Sequence, residues 1–319
     1  MKDKTFPSSL KEARQHGNFS FPCAFYQAMH ENDSSGFSYV VKHHWHEQIE
    51  IIYLEEDSYQ VDINMNITHL KSPCFCFINS GELHALISDS DRYQEQAVVF
   101  SADLLSFATL DLVQEQFMLP LLEHKLSFPS FLASEHPAFA QVQQEFLKIR
   151  SVFFRENHVC RDQFTIENPV SQLQVKAALL SILGILAEYT LLTSNNPQHN
   201  PQVELLKRVI SYIHQNYQRQ LTLGELSALV GMNEQYFCRF FKKALGKTPI
   251  SYINDYRIHH AATLLSTTEL PVMEVCLESG FNNLGHFMKE FKKATQLTPL
   301  QFRSKRQINT VYKNISSLG

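Results

Sequence analysis

Between Trp45 and Phe100 apolar residues alternate with polar ones, as in the series Ile49, Ile51, Tyr53 and Val61, Ile63, Met65, Ile67. A period of two belongs to a strand with one buried face. Pro73, Ser80-Gly81 and Asp89-Ser90-Asp91 punctuate the runs, so short antiparallel strands forming a barrel or sandwich are predicted. The forty residues before them are mixed and turn-rich. From Ala102 the period lengthens, and helices are predicted over 138–154 and 171–192. The second carries Leu173, Val175, Leu179, Leu180, Leu183, Leu186 and Leu191 with little charge. Such a helix is either a core helix packed on the barrel or a dimer face.

The segment from Thr193 to Pro201 is polar and proline-bounded, as a linker is. Beyond it the pattern is helical and repeats. Phe241-Lys-Lys-Ala244 recurs as Phe291-Lys-Lys-Ala294, and Thr248-Pro249 as Thr298-Pro299, each 50 residues on. In the first copy Thr222 and Glu225 form a capping box. Leu223, Leu226, Leu229 and Val230 give one apolar face, Gly231 supplies a tight turn, and Asn233 caps the next helix. That helix turns Phe237, Phe240, Phe241 and Ala244 one way and Gln235, Cys238, Arg239 and Lys242 the other, with Lys243 beside them and Gly246 closing it. The second copy has Val272, Val275 and Cys276 before Gly280, then a helix from about Asn283 with Phe287 and Phe291 inward. Its outward set is Asn283, Leu284, Gly285, His286, Lys289 and Lys292. A long helix over 250–265 separates the copies. Arg pairs bidentately with guanine and Gln with adenine, so the first outward face suits a major groove. The second is poorer in such groups and is expected to read fewer bases, leaning on phosphate and thymine-methyl contacts.

Charge sharpens the division. From Val203 onward there are 15 basic and 8 acidic residues, which leaves 13 basic and 24 acidic for the rest. A basic half beside an acidic one fits a polyanion-binding module joined to another domain. The length, 319 residues, suits two domains. The N-terminal residues contain no apolar stretch for a signal peptide, and Ser181, Gly184 and Glu188 interrupt the longest apolar run short of the roughly 18 residues that span a bilayer. Six cysteines without paired spacing fit a reducing compartment. A cytoplasmic protein without a membrane partner is therefore expected. Cys74 and Cys76 share a strand face, which suits apolar packing better than a redox switch.

The stretch over 204–306, with FFKKALGKTPISYI, YRIHHAATLL and SGFNNLGHFMKEFKKATQLTP, resembles the DNA-binding domain of the AraC/XylS transcription regulators. The resemblance implies two helix-turn-helix units bridged by a linker helix and entering adjacent major grooves. It places Gln235, Cys238 and Arg239 at base-contacting positions of the first recognition helix, and Leu284, Gly285, His286 and Lys289 at those of the second. Leu284 and Gly285 replace more usual polar residues, and Gln296 stands where the family usually has Gly.

Upstream, His44, His46 and Glu50 have the spacing HxHxxxE, and His84 follows in Asn79-Ser-Gly-Glu-Leu-His84. These resemble the two motifs of the cupin barrel, which often place three histidines and a glutamate around a metal. Imidazoles at i and i+2 of a strand face the same side. Three readings stand: a polar pocket for an organic effector, a metal site, or histidines with only structural partners. The family resemblance favours the first, with a sugar among the candidate effectors.

The expected fold is α+β: a cupin-like antiparallel β-barrel at 1–165, a helical region at 166–192 as candidate dimer face, a linker at 193–202, an all-α pair of helix-turn-helix units at 203–306, and a tail at 307–319. The implied function is a ligand-responsive transcription regulator, an activator rather than an enzyme. It would bind double-stranded DNA and a small-molecule effector, contact RNA polymerase and act as a homodimer, with no resident cofactor. The rivals are a metal-dependent cupin enzyme or metal sensor fused to a DNA-binding domain, and a constitutive architectural DNA binder.

Overall fold

The computed structural model describes residues 10–12, 14–31, 40–55, 58–88, 92–156, 163–194 and 201–304. The chain divides into two compact units, Lys11–Asn200 and Pro201–Gly319 with Met1–Leu10. Most of the expected linker and all of the expected tail at 307–319 lie outside the described residues.

The first unit is built on strands β1 (Cys23–Glu31), β2 (Val40–His44), β3 (Ile49–Leu54), β4 (Ser58–Ile63), β5 (Asn66–Lys71), β6 (Cys74–Ile78), β7 (His84–Ser88), β8 (Arg92–Phe100) and β9 (Phe131–Ala133). They form two antiparallel sheets, ordered β1-β8-β3-β6-β9 and β2-β7-β4-β5. Ile52, Leu54, Cys74, Cys76 and Ile78 of the larger sheet pack against Tyr59, Val61, Ile63 and Leu86 of the smaller. After a 3-10 turn at Ala102–Leu105 and a π-turn at Gln114–Met118 come α1 (Leu119–Leu122), α2 (Phe139–Glu156) and α3 (Pro169–Glu188). The outer face of the larger sheet, with Phe25, Ile51, Tyr53, Phe75, Val98 and Phe100, shares one core with α2 and α3. β3 and β6 are therefore buried on both faces.

Three readings of the pattern are corrected. β1 lies in the segment read as turn-rich. Cys23, Ala24 and Phe25 are all buried there, so no alternation marks the strand. The series Val61–Ile67 is two strands joined by a hairpin, with φ of 53° at Asn64 and 67° at Met65, and Ile63 paired with Asn66. Two central residues at positive φ match the twist of an antiparallel pair. Asn64 earns its place by accepting from the Leu83 amide and donating to Glu82. Finally, α3 begins at Pro169, capped by Asn168, and ends at Glu188, short of Leu191. Val175, Leu179, Leu183 and Leu186 lie in the core, while Leu173 is 67 % exposed. Only the outer face of α3 lies outside that core. By length and composition α3 could cross a membrane, but its apolar face packs against the barrel and α2.

Among the described residues the second unit has six helices: α4 (Pro201–Asn216), α5 (Leu223–Ala228), α6 (Glu234–Leu245), α7 (Pro249–Thr267), α8 (Val272–Glu278) and α9 (Leu284–Thr295). The bounds of α6 and α9 differ by 50 residues, as the repeat requires. Thr222, Asn233, Thr248 and Asn283 cap α5, α6, α7 and α9 through their side chains. Gly246 ends α6 at φ 70°, and Gln296 takes the same left-handed place after α9 at φ 61°. Gly280, at φ 85°, has Tyr217 O only 2.4 Å from where a Cβ would stand, so no side chain fits.

Candidate functional site

In the second unit α5 supports α6 and α8 supports α9. Phe237, Phe240, Phe241 and Ala244 bury the inner face of α6, and Phe287 and Phe291 that of α9. α6 leaves Glu234, Gln235, Tyr236, Arg239, Lys242 and Lys243 exposed, with Cys238 half-buried. On α9 the exposed set is Gly285, His286, Lys289, Lys292, Lys293 and Leu284, the last 40 % exposed. Fifty residues after Gln235 stands Gly285, with no side chain to offer, and after Arg239 stands Lys289. The Asn283 carboxamide accepts from the His286 amide at 2.8 Å and is spent on capping. The first helix-turn-helix is braced from α4: the Glu225 carboxylate accepts from the Tyr212 hydroxyl and pairs with Arg219. Arg219 first, then Tyr212, holds that carboxyl down to about 2.

In the first unit His44 and His84 of the smaller sheet, His46 of the loop between β2 and β3, and Glu50 of β3 in the larger sheet come together. Each imidazole uses Nδ1 on a backbone carbonyl: His44 on Lys42 O at 2.9 Å, His46 on Gln48 O at 3.0 Å and His84 on Glu82 O at 2.8 Å. A proton on Nδ1 leaves the Nε2 lone pair free. The three histidines offer ligand atoms all within 4.8 Å of one another. Glu50 Oε2 lies 3.3 Å from Nε2 of both His46 and His84. The His84 contact is off the hydrogen-bond direction, so this buried nitrogen has no hydrogen-bond partner.

Sequence reasoning missed three members of this cluster. Glu12 places Oε2 3.6 Å from His44 Nε2 and 3.5 Å from His16 Nε2, and His16 Nδ1 meets the Tyr26 hydroxyl at 2.7 Å. His16 is 5 % exposed. Nothing in Lys11-Glu-Ala-Arg-Gln-His16 distinguishes these residues from an ordinary polar segment.

The charges are settled by mutual contact. Burial pushes the Glu50 carboxyl up, yet the bond from His46 and the nearby His84 imidazole outweigh it and leave it well below the usual range. Burial opposes the charge on Glu12 too, but His16 and then His44 hold its carboxyl low. Burial, reinforced by His84, brings His44 down to about 4. Burial also lowers His46, but Glu50 more than reverses this and raises it. Cys74 and Cys76 lie in the barrel core, where burial raises both thiols, Cys74 to about 11. Protonated thiols are poor nucleophiles.

Comparison with known proteins covers both units. Residues 25–146 match the model of the AraC-like ligand binding domain, and residues 226–305 that of an AraC-type helix-turn-helix domain. An uncharacterized HTH-type transcriptional regulator of Bacillus subtilis, YdeC, is 23 % identical over 303 residues, 95 % of this chain and 99 % of that one. The C-terminal domain of the response regulator yesN from Fusobacterium nucleatum is 33 % identical, covering 31 % of this chain and 98 % of that one at a TM-score of 0.30. ToxT from Vibrio cholerae is 13 % identical over 88 % of this chain and 98 % of its own, at a TM-score of 0.36. A ligand-binding barrel followed by paired helix-turn-helix units defines a DNA-binding transcription regulator, not an enzyme. The chain belongs to the AraC family of such regulators.

Proposed function

We propose that this regulator reads its operator mainly through α6 and is controlled by a small-molecule effector held at His44, His46, Glu50 and His84. The observation that carries the first part is the asymmetry of two otherwise matched helices. α6 exposes Gln235, Arg239, Lys242 and Lys243, whereas α9 has Gly285 and Lys289 in place of Gln235 and Arg239. Arg239 and Gln235 supply bidentate base contacts. Lys242 and Lys243, like Lys289 and Lys292 on α9, supply phosphate contacts that set register without reading sequence.

Several further points belong to the same reading. The protein is an activator that contacts RNA polymerase, works in the cytoplasm and pairs as a homodimer through the outer face of α3. Effector control requires different affinities for two states of the protein. Convergence of three imidazoles and a carboxylate, with a buried His84 nitrogen lacking a hydrogen-bond partner, favours a ligand over purely structural histidines, since buried polar groups are otherwise satisfied.

A promoter fusion tests the control. Replacing His46 by Ala is expected to abolish the response to effector while operator binding persists. An unchanged response would exclude the site, as the constitutive binder requires.

A further inference from the structure

We infer that Arg257 is a positioning residue for DNA reading: its guanidinium ties the second helix-turn-helix to the first and so sets the separation of the two DNA elements that one chain reads. This rests on the reading of α6 and α9 as the groove helices and names what holds them in register.

A helix shared by two units fixes their distance but leaves each free to swing about its own junction. α7 is such a helix. Its N-terminal half belongs to the first helix-turn-helix, where Tyr252 meets the edge of Phe241 with ring centres 5.7 Å apart. Its C-terminal half gives Ile258, Ala261 and Leu265 to the core of the second, with Val275, Phe281, Phe287 and Phe291. Arg257 stands between these sets. Its Nε donates to Tyr217 O at 2.8 Å and its Nη2 to Arg219 O at 2.7 Å. Both carbonyls belong to the connection from α4 to α5, just past the end of α4 at Asn216. Carbonyls at a helix C-terminus carry partial negative charge, so a guanidinium there makes charge-assisted bonds. The same guanidinium lies against the Phe281 ring, with Cζ 5.7 Å from its centroid. One side chain therefore touches both the entry to α5 and the turn between α8 and α9.

The backbone of that turn is seated on the same connection. A Cβ on Gly280 would stand 2.4 Å from Tyr217 O and 3.0 Å from Arg257 Nε. Gln218 Nε2 donates to Glu278 O at 3.2 Å. Arg219, whose carbonyl accepts from Arg257, pairs through its own side chain with Glu225 of α5, which carries the tie into the first helix-turn-helix. Beside these contacts the seam is open, as a cavity of 430 Å³ bordered by Gln220, Ile253, Asn254, Phe281 and His286. Close packing does not fill the seam, so a few polar contacts hold it. His286 is also on the outward face of α9, so a swing at the seam displaces the reading face.

One base pair moves an element about 3.4 Å along the duplex and roughly 35° around it, so a rigid pair of units accepts one separation and a loose pair accepts several. Full-length wild-type protein and Arg257→Met, which keeps an apolar stem and no donors, each select bound sequences from one random duplex pool. Duplexes are then made with the two elements one or two base pairs closer or further apart, and with the weaker element scrambled. The wild-type protein is expected to recover one separation, and to bind shifted duplexes little better than the scrambled one. Arg257→Met is expected to recover a spread of separations, to bind the best duplex about 10-fold less tightly, and to bind the scrambled duplex as the wild type does. A merely structural role would weaken the scrambled duplex too. Gln218→Ala, at an exposed position, should broaden the separations in the same direction and by less. Arg257→Lys keeps the charge but reaches one carbonyl instead of two; it should fall between, and it decides the matter if Arg257→Met loses its far-UV dichroism. A wild-type separation profile in the deciding variant, or equal weakening of the scrambled duplex, would overturn the inference and spare the two-unit reading. A wild-type protein that enriches no two-element site overturns that reading, and this inference with it.

Discussion

At the residue scale, the two C-caps show how a repeat diverges in chemistry while keeping its backbone. Gly246 and Gln296 both take left-handed φ, a conformation that favours glycine. Gln296 also donates its side-chain amide to Lys293 O, a local bond that offsets part of the strain. Gln296→Gly is expected to stabilise the protein by about 0.5–1 kcal/mol, read as a higher denaturant midpoint at unchanged slope. A lower midpoint would mean that the side-chain bond outweighs the backbone term. Arg239 carries the specificity. Arg239→Ala should cost about 1–3 kcal/mol at one base position and relax preference there, measured by competition against single-base operator variants. Lys242→Ala should weaken all sequences alike and reduce the salt slope by about one. Equal behaviour of the two variants would contradict the division of roles along α6. These residues were legible because helical spacing sorts inward phenylalanines from outward polar groups. Glu12 and His16 were not, because only the tertiary fold carries them to histidines some thirty residues away.

At the element scale, α4 is tied to α7 by aromatic contacts. His214 of α4 stacks on Tyr256 at 4.2 Å and bonds the Tyr252 hydroxyl at 2.9 Å, and burial brings it down to about 4. Its ordinary value in the unfolded chain is about 6.5. Between those values the unfolded state binds the extra proton, so stability is present above about 6.5 and is lost as pH falls towards 4. At most about 3 kcal/mol is at stake. Thermal melts over that range should show the fall, and His214→Phe should flatten it. An equally steep fall in the variant would assign the effect to other groups. Helices were the readable elements: α6, α7 and α9 follow from caps, period and glycines. Strands were less so, for two physical reasons. Burial on both faces erased the alternation of β1, and the Asn64-Met65 turn sits in phase with the alternation on either side, so positive φ there left no trace in the pattern.

At the scale of the whole molecule, the division of charge matches the division of structure. The excess of basic residues lies in the helical unit, and the histidine–carboxylate site lies in the barrel. The α+β architecture and the paired helix-turn-helix units were readable because each level of the pattern agreed: caps, period, repeat and charge. The assembly of the effector cluster depends on strand register and on a segment outside the motif, which no local pattern encodes. The central claim is that one protomer reads DNA with two unequal units. Selection of bound sequences from a random duplex pool by purified protein tests it most directly. The account predicts a recovered site with two elements about one helical turn, roughly 10 base pairs, apart per protomer, one strongly conserved and one weakly. Two elements of equal information would contradict the assigned asymmetry, and no enriched sequence at all would contradict sequence-specific reading by α6.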